Sequence, residues 1–188
     1  CIQDMESWSA VIAGYVQHEQ GHEALSCFER MQSEGLSPNE GILMHILKVC
    51  GKNGNIEKGQ YVHEDIVRRS LLEKSVMLGT ALLDMYVKCG ALRKAQEVLK
   101  ELPVRDVVSW NALISGYGQQ GQCHEALNCL DMMQTEGFSP SPVTFICLLK
   151  VCGSTRAIEV GKQMHESIAG SGLLKKDIVL GNALVDMY

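Results

Sequence analysis

Four His-Glu dipeptides that recur along the chain as two matched pairs, together with a scatter of cysteines, are residues whose types could support catalysis or hold a metal. The dipeptides are His22-Glu23, His63-Glu64, His124-Glu125 and His165-Glu166. A helical zinc-hydrolase site needs a second histidine four residues after the first, where Val67 and Ala169 stand after His63 and His165. A zinc deaminase needs His-x-Glu and a later Pro-Cys-x-x-Cys, and no Cys-x-x-Cys occurs here. Glu23 and Glu125 instead suit the positive end of a helix beginning at each dipeptide. With no nucleophile–base pair or phosphate loop, and no metal-ligand spacing at His63 or His165, the expectation is a non-enzymatic segment that needs no cofactor. Of the eight cysteines, Cys27 recurs as Cys129 and Cys50 as Cys152 at apolar-flanked helical positions, and the set reads as small buried hydrophobes in a reducing compartment. No apolar run approaches the roughly 20 residues that a membrane span requires, so no membrane partner is expected. The net charge of −5 argues against nonspecific nucleic-acid binding, which rests on excess Lys and Arg.

These dipeptides recur because the chain repeats itself. Trp8 falls on Trp110, 102 residues on, and Leu47-Lys48-Val49-Cys50-Gly51 falls on Leu149-Lys150-Val151-Cys152-Gly153 at the same offset. Ala81-Leu82-Leu83-Asp84-Met85-Tyr86 returns as Ala183-Leu184-Val185-Asp186-Met187-Tyr188. Such self-similarity marks stacked units, each too small to bury its own apolar face. The expected architecture is an all-α, right-handed superhelical solenoid of helix–turn–helix units, whose binding surface is a long concave groove.

Within the long period, apolar residues keep helical spacing. Trp110, Leu113, Ile114 and Tyr117 form one stripe, broken by a Gly/Gln-rich stretch from Gly118 to Gln122. Ala126, Leu130 and Met133 form the next, which Gly137 and Pro140 terminate. Phe145, Leu148, Leu149 and Cys152 open the following unit, and Ile158, Met164, His165 and Ile168 close it near Gly170 or Gly172. A shorter unit carries Leu78, Leu82, Met85 and Tyr86, then Leu92, Ala95, Leu99 and Leu102, with the turn at Cys89-Gly90. Both tryptophans lie on stripes and are expected in the core. Ser9, Thr80 and Asn111, taken alone, read as solvent-facing helix positions.

Units 107–141, 142–177 and 76–106, with Val107-Val108-Ser109-Trp110-Asn111-Ala112-Leu113-Ile114-Ser115-Gly116-Tyr117 and Leu82-Leu83-Asp84-Met85-Tyr86-Val87-Lys88-Cys89-Gly90, resemble the plant pentatricopeptide repeat family. More narrowly they resemble its subclass of alternating standard, long and short repeats. On that likeness residues 1–4 are the tail of a preceding short unit, cut from a longer array. Residues 5–39 and 107–141 are then standard, 40–75 and 142–177 long, 76–106 short, and 178–188 the start of a truncated short unit.

The resemblance implies single-stranded RNA as partner, in a mitochondrion or chloroplast, with about one base per repeat. It also implies a role in choosing sites of cytidine-to-uridine editing, with editing-complex proteins as further partners and the chemistry elsewhere. The fifth and last residues of each unit would read a base: Ser9 with Asn39 for adenine, Thr80 with Asp106 for guanine, Asn111 with Ser141 for cytosine. Asn182 lacks its partner and leans to a pyrimidine. The long units offer Met44 with Ser75 and Ile146 with Asp177, whose apolar fifth residue cannot read hydrogen bonds and suits a spacer. The expected site is A-x-G-C-x. Second residues Met77, Val108, Val143 and Val179 would wedge bases, while Glu6 and Gly41 depart from that pattern. Lys52 and Lys88, at the thirteenth position, would face phosphates; Gln17, Gln119 and Ser154 replace the lysine elsewhere. The alternative is a protein-binding helical scaffold.

Overall fold

The computed structural model describes residues 4–175 and 177–188. All of the regular structure among them is helical. It comprises α1 (Met5–Gln17), α2 (Gly21–Ser33), α3 (Glu40–Asn53), α4 (Ile56–Arg68), α5 (Val76–Lys88), α6 (Leu92–Glu101), α7 (Val107–Gln119), α8 (Cys123–Thr135), α9 (Pro142–Thr155), α10 (Ile158–Ser171) and α11 (Ile178–Met187), with a 3-10 turn at Leu173–Lys175. Of the tail assigned to residues 1–4, only Asp4 lies within the described residues. No helix among them is long and apolar enough to cross a membrane.

The chain divides into two compact units, Cys1–Val104 and Arg105–Tyr188. In the first, α1, α3 and α5 pack side by side, while α2, α4 and α6 each fold back on the helix before them. In the second, α7, α9 and α11 form the equivalent layer, backed by α8 and α10. Burial supplies the driving force. Trp8, Ile12, Phe28, Met31, Ile46, Leu47, Leu82 and Tyr86 are at most 1% exposed in the first unit, as are Trp110, Ile114, Met133 and Leu149 in the second. Each large buried side chain contributes about 1.5–3 kcal/mol. The indole N–H groups of Trp8 and Trp110 are buried with no acceptor among the described residues, so both tryptophans serve as packing groups.

The stop signals are where the residue types place them. Gly35, Gly90, Gly137 and Gly172 adopt positive φ at the ends or turns of their hairpins, a conformation that costs other residues steric strain. Two expectations need correction. Gly118 lies inside α7, and the break is confined to 120–122. Ile158 is 43% exposed, because it is the first residue of α10 and projects before the buried stripe begins.

Close helix approach explains the glycines inside the repeated blocks. A Cβ on Gly51 would meet the Met85 Cα at 3.2 Å, and one on Gly153 would meet the Met187 Cα at 3.4 Å. The Met85 thioether also lies over Gly59, as that of Met187 lies over Gly161. One methionine of α5 is therefore seated on two glycines of α3 and α4, and one of α11 on two glycines of α9 and α10.

Candidate nucleic-acid interface

The last residue of every unit caps the first helix of the next. Asp4, Asn39, Ser75, Asp106, Ser141 and Asp177 each accept a hydrogen bond from the backbone N–H three residues on, at 2.7–3.3 Å. Such a cap stabilises by about 1 kcal/mol. Asn, Asp or Ser at these places is thus accounted for by helix capping alone. Their presence does not separate a base-reading face from a peptide-binding one, a point the sequence pattern left hidden.

What matters is where the caps lie relative to the fifth residues. In the first standard unit Asn39 Nδ2 donates to Ser9 Oγ at 3.1 Å. In the second, Asn111 Nδ2 donates to Ser141 Oγ at 3.4 Å, and Asn111 Oδ1 accepts from Thr144 Oγ1 at 2.7 Å. Thr144 is fully buried and completes a capping box with Ser141. Both standard pairs are therefore brought together by direct contact. Asn111, read from sequence as solvent-facing, is only 9% exposed, because Thr144 of the next unit covers it. With one N–H and one carbonyl lone pair engaged, it still offers one donor and one acceptor side by side.

Thr80 is half-buried on α5 and its hydroxyl donates to the Val76 carbonyl at 3.0 Å. With that proton engaged, its oxygen can act only as an acceptor. Asp106 lies in the second compact unit, where its Oδ1 accepts from both the amide and the hydroxyl of Ser109 at 2.8 Å. Asn182 is exposed on α11. In the long units Met44 and Ile146 are half-buried. Ser75 donates to Glu40 Oε1, and Asp177 is committed to its cap.

The second-position residues are among the exposed apolar groups of the first helices, beside Val76, Ile178 and Val185. Met77, Val108, Val143 and Val179 are 67%, 65%, 54% and 62% exposed. A single exposed apolar side chain needs no explanation, but four at one register position do. Each lies three residues before a fifth residue and hence beside it on the same helix face. Glu6 is exposed at that register on α1, and Gly41 is half-buried on α3.

The two lysines expected to face phosphates are both engaged. Lys52 pairs with Glu19 and Lys88 with Asp84, each at 2.6 Å. The Lys52 ammonium holds the Glu19 carboxyl below its ordinary range. Glu19 itself sits at φ 61, where the equivalent residue of the second copy is Gly121. Sequence reasoning passed over Lys48 and Lys150, one turn before the thirteenth position. Both are exposed, and their recurrence in the matched Leu-Lys-Val-Cys-Gly blocks was the available signal.

The His-Glu dipeptides of the long units do structural work. His63 Nδ1 lies 2.9 Å from the Tyr86 hydroxyl, and His165 Nδ1 lies 3.1 Å from that of Tyr188, both rings edge to face. Burial, with a smaller contribution from Lys94, holds the His63 imidazole below its ordinary pKa, against Glu101 and Glu64. Burial first, then nearby carboxylates and Cys89, pushes the Tyr86 phenol up to about 12. Among the described residues no cluster of His, Cys, Asp or Glu is placed to hold a metal ion.

Comparison with known proteins agrees with this architecture. The PPR repeat family model matches residues 105–154, and the PPR repeat model matches residues 6–36 and 80–107. A chloroplastic pentatricopeptide repeat-containing protein of Arabidopsis thaliana is 38% identical over 182 residues, covering 97% of this chain and 29% of that protein. The crystal structure of the maize pentatricopeptide repeat protein PPR10 superposes with a TM-score of 0.79 at 20% identity, covering 100% of this chain and 27% of that one. PPR10 in complex with an 18-nt psaJ RNA element gives a TM-score of 0.75 at 24% identity, over 98% of this chain and 28% of that one. The chain thus spans about a fifth to a third of the length of the curated relatives it matches. Its fold is the α-solenoid of stacked helical hairpins, and the chain belongs to the pentatricopeptide repeat family.

Proposed function

We propose that this chain binds single-stranded RNA and selects its sequence by one-repeat-one-base recognition. The carrying observation is the repeated pairing of an exposed apolar second residue with a polar fifth residue one turn along the same helix. Val108 and Asn111 form one such pair, and Met77 and Thr80 another. An apolar wedge packs against base faces and excludes water, which strengthens the hydrogen bonds made beside it. The RNA-bound maize relative supports the partner class.

The committed hydrogen bonds refine the reading. Thr80, left as an acceptor, complements the N1–H and N2–H donors on the Watson–Crick edge of guanine. Asn111, held by Thr144 and Ser141, presents a donor and an acceptor in one plane, as the N3 and N4 edge of cytosine requires. Ser9 with Asn39 is assigned to adenine, and Asn182 to a pyrimidine. The standard and short units thus read A-x-G-C-x. Service in an organelle is proposed on the chloroplastic relative, and choice of a cytidine-to-uridine editing site on the alternation of unit types, with the chemistry outside this segment. A gel-shift titration tests the reading: RNA carrying A-x-G-C-x should bind at least tenfold more tightly than a scrambled sequence, about 1.4 kcal/mol. Equal affinity for the two would refute base selection.

A further inference from the structure

We propose that Lys48 and Lys150 are phosphodiester-binding residues, one in each long unit. On this view they, rather than Lys52 and Lys88, supply the backbone contacts of the bound strand. The inference rests on the RNA-binding reading above and reassigns the long units from spacers to backbone clamps.

Lys48 lines a crevice of about 190 Å³ with Gln17, Glu19, Lys52 and Asn53, between the C-terminal ends of α1 and α3. Lys150 lines one of about 470 Å³ with Ser115, Gln119 and Ser154, between the corresponding ends of α7 and α9. The two places are one repeat period apart in sequence, so the same feature is built twice. In the first crevice Lys52 and Glu19 cancel as an ion pair, leaving the charge of Lys48. In the second, Lys150 is the only charged residue of the lining among the described residues. Each crevice is therefore net positive in a chain whose overall charge is −5.

Availability separates these lysines from the four that are ion-paired. Lys52, Lys58, Lys88 and Lys162 each lie within 3 Å of a carboxylate. Lys48 and Lys150 form no ion pair among the described residues. A lysine already paired must give up its carboxylate before it can neutralise a phosphate; an unpaired one need not. Neighbouring amides and hydroxyls supply the neutral donors that phosphate oxygens also accept. Position on the helix agrees: each lysine follows by one turn the apolar fifth residue, Met44 or Ile146, that cannot read a base edge. Units that forgo reading therefore carry an unpaired cation one turn beyond the apolar fifth residue.

Two probes test this with the full chain across a salt series: single-stranded RNA, and an abasic sugar-phosphate oligomer that carries phosphates without bases. The double variant Lys48→Gln/Lys150→Gln should reduce the slope of log K against log salt by about 1.4, or about 0.7 for each phosphate that is no longer neutralised. The reduction should be alike for every RNA sequence and for the abasic oligomer. Lys52→Gln/Lys88→Gln should leave the slope unchanged, and Lys48→Arg/Lys150→Arg should retain it. All four lysines are exposed, so the variants should keep the wild-type melting curve, and the arginine pair controls for folding. An unchanged slope in the first variant, or a reduced one in the second, overturns the inference. If RNA fails to bind while the abasic oligomer binds through Lys48 and Lys150, the function fails and this inference stands. Binding of neither probe overturns both.

Discussion

Replacing Thr144 with Val probes the link between helix capping and base reading. The change is nearly isosteric at a fully buried site. It removes the hydroxyl that donates to Asn111 Oδ1 at 2.7 Å and accepts from the Ser141 amide at 3.0 Å. The Thr144 amide keeps its bond to Ser141 Oγ, so α9 still begins at the same residue. The same hydroxyl also lies 3.0 Å from Ser141 Oγ, and each of these neutral hydrogen bonds is worth about 1 kcal/mol in net terms. The buried Asn111 carbonyl, left unpaired, pushes the cost toward the upper end, while the added methyl offsets about 0.8 kcal/mol. The expected loss is about 1–3 kcal/mol. The fold should survive, because Ile42 occupies the equivalent place in the first copy and is fully buried there. Urea denaturation with a double-mutant cycle against Asn111→Ala gives the measurement, with an expected coupling of about 1 kcal/mol. The same variant frees the Asn111 amide to rotate, so discrimination for cytosine at that unit should fall by about tenfold while affinity for a mismatched RNA holds. A stability within about 0.5 kcal/mol of the parent chain, or full additivity with Asn111→Ala, would refute the reasoning.

Exchanging Thr80 for Asn gives the fifth position of the short unit both a donor and an acceptor. Gel shifts should show its preference moving from guanine to a pyrimidine with the melting curve unchanged; retained guanine selectivity would count against the code there. Acid should destabilise the fold through His63 and His45, both of which burial holds below their ordinary pKa. The unfolded chain binds protons below about pH 6.5 that the folded chain does not, so the urea midpoint should be flat above that pH and fall below it. His63→Gln should flatten part of this fall, and a midpoint indifferent to pH between 7 and 5 would contradict it. Gly51→Ala drives a methyl against the Met85 backbone and should cost about 1–3 kcal/mol by denaturant titration; a neutral result would show that α3 and α5 can part freely. Glu19→Gly removes a positive-φ side chain and releases Lys52, so the melting temperature should hold or rise and the salt dependence of RNA binding should steepen. A shallower dependence would show that Lys52 stays out of reach even when free.

Helix boundaries, hairpin turns and most of the core were legible from the residues because their causes are local. The stripe Trp110, Leu113, Ile114 and Tyr117 is buried as its spacing requires, and Gly137 turns with the positive φ that only glycine adopts cheaply. Ile158 escaped because periodicity says which face a residue shares, not how far a neighbouring helix extends over it. Among the candidate site residues, types and register were readable, but their commitments were not. Asn111 looked solvent-facing until Thr144, 33 residues on, was found to cover it. Lys52 looked free until Glu19, far off in the chain, stood 2.6 Å away, whereas the pairing of Lys88 with Asp84 is a local i,i+4 contact that the spacing already displayed.

By itself, then, the order of amino acids determined a repeating helical hairpin with a polar residue at one register and an apolar one beside it. Helical period, capping and turn chemistry act over a handful of neighbours and need no knowledge of the whole. Tertiary packing alone decided which of those polar groups remain available to a ligand. Hydrogen bonds and ion pairs form or fail within a few tenths of an ångström, between residues some thirty positions apart, and no local pattern encodes that distance.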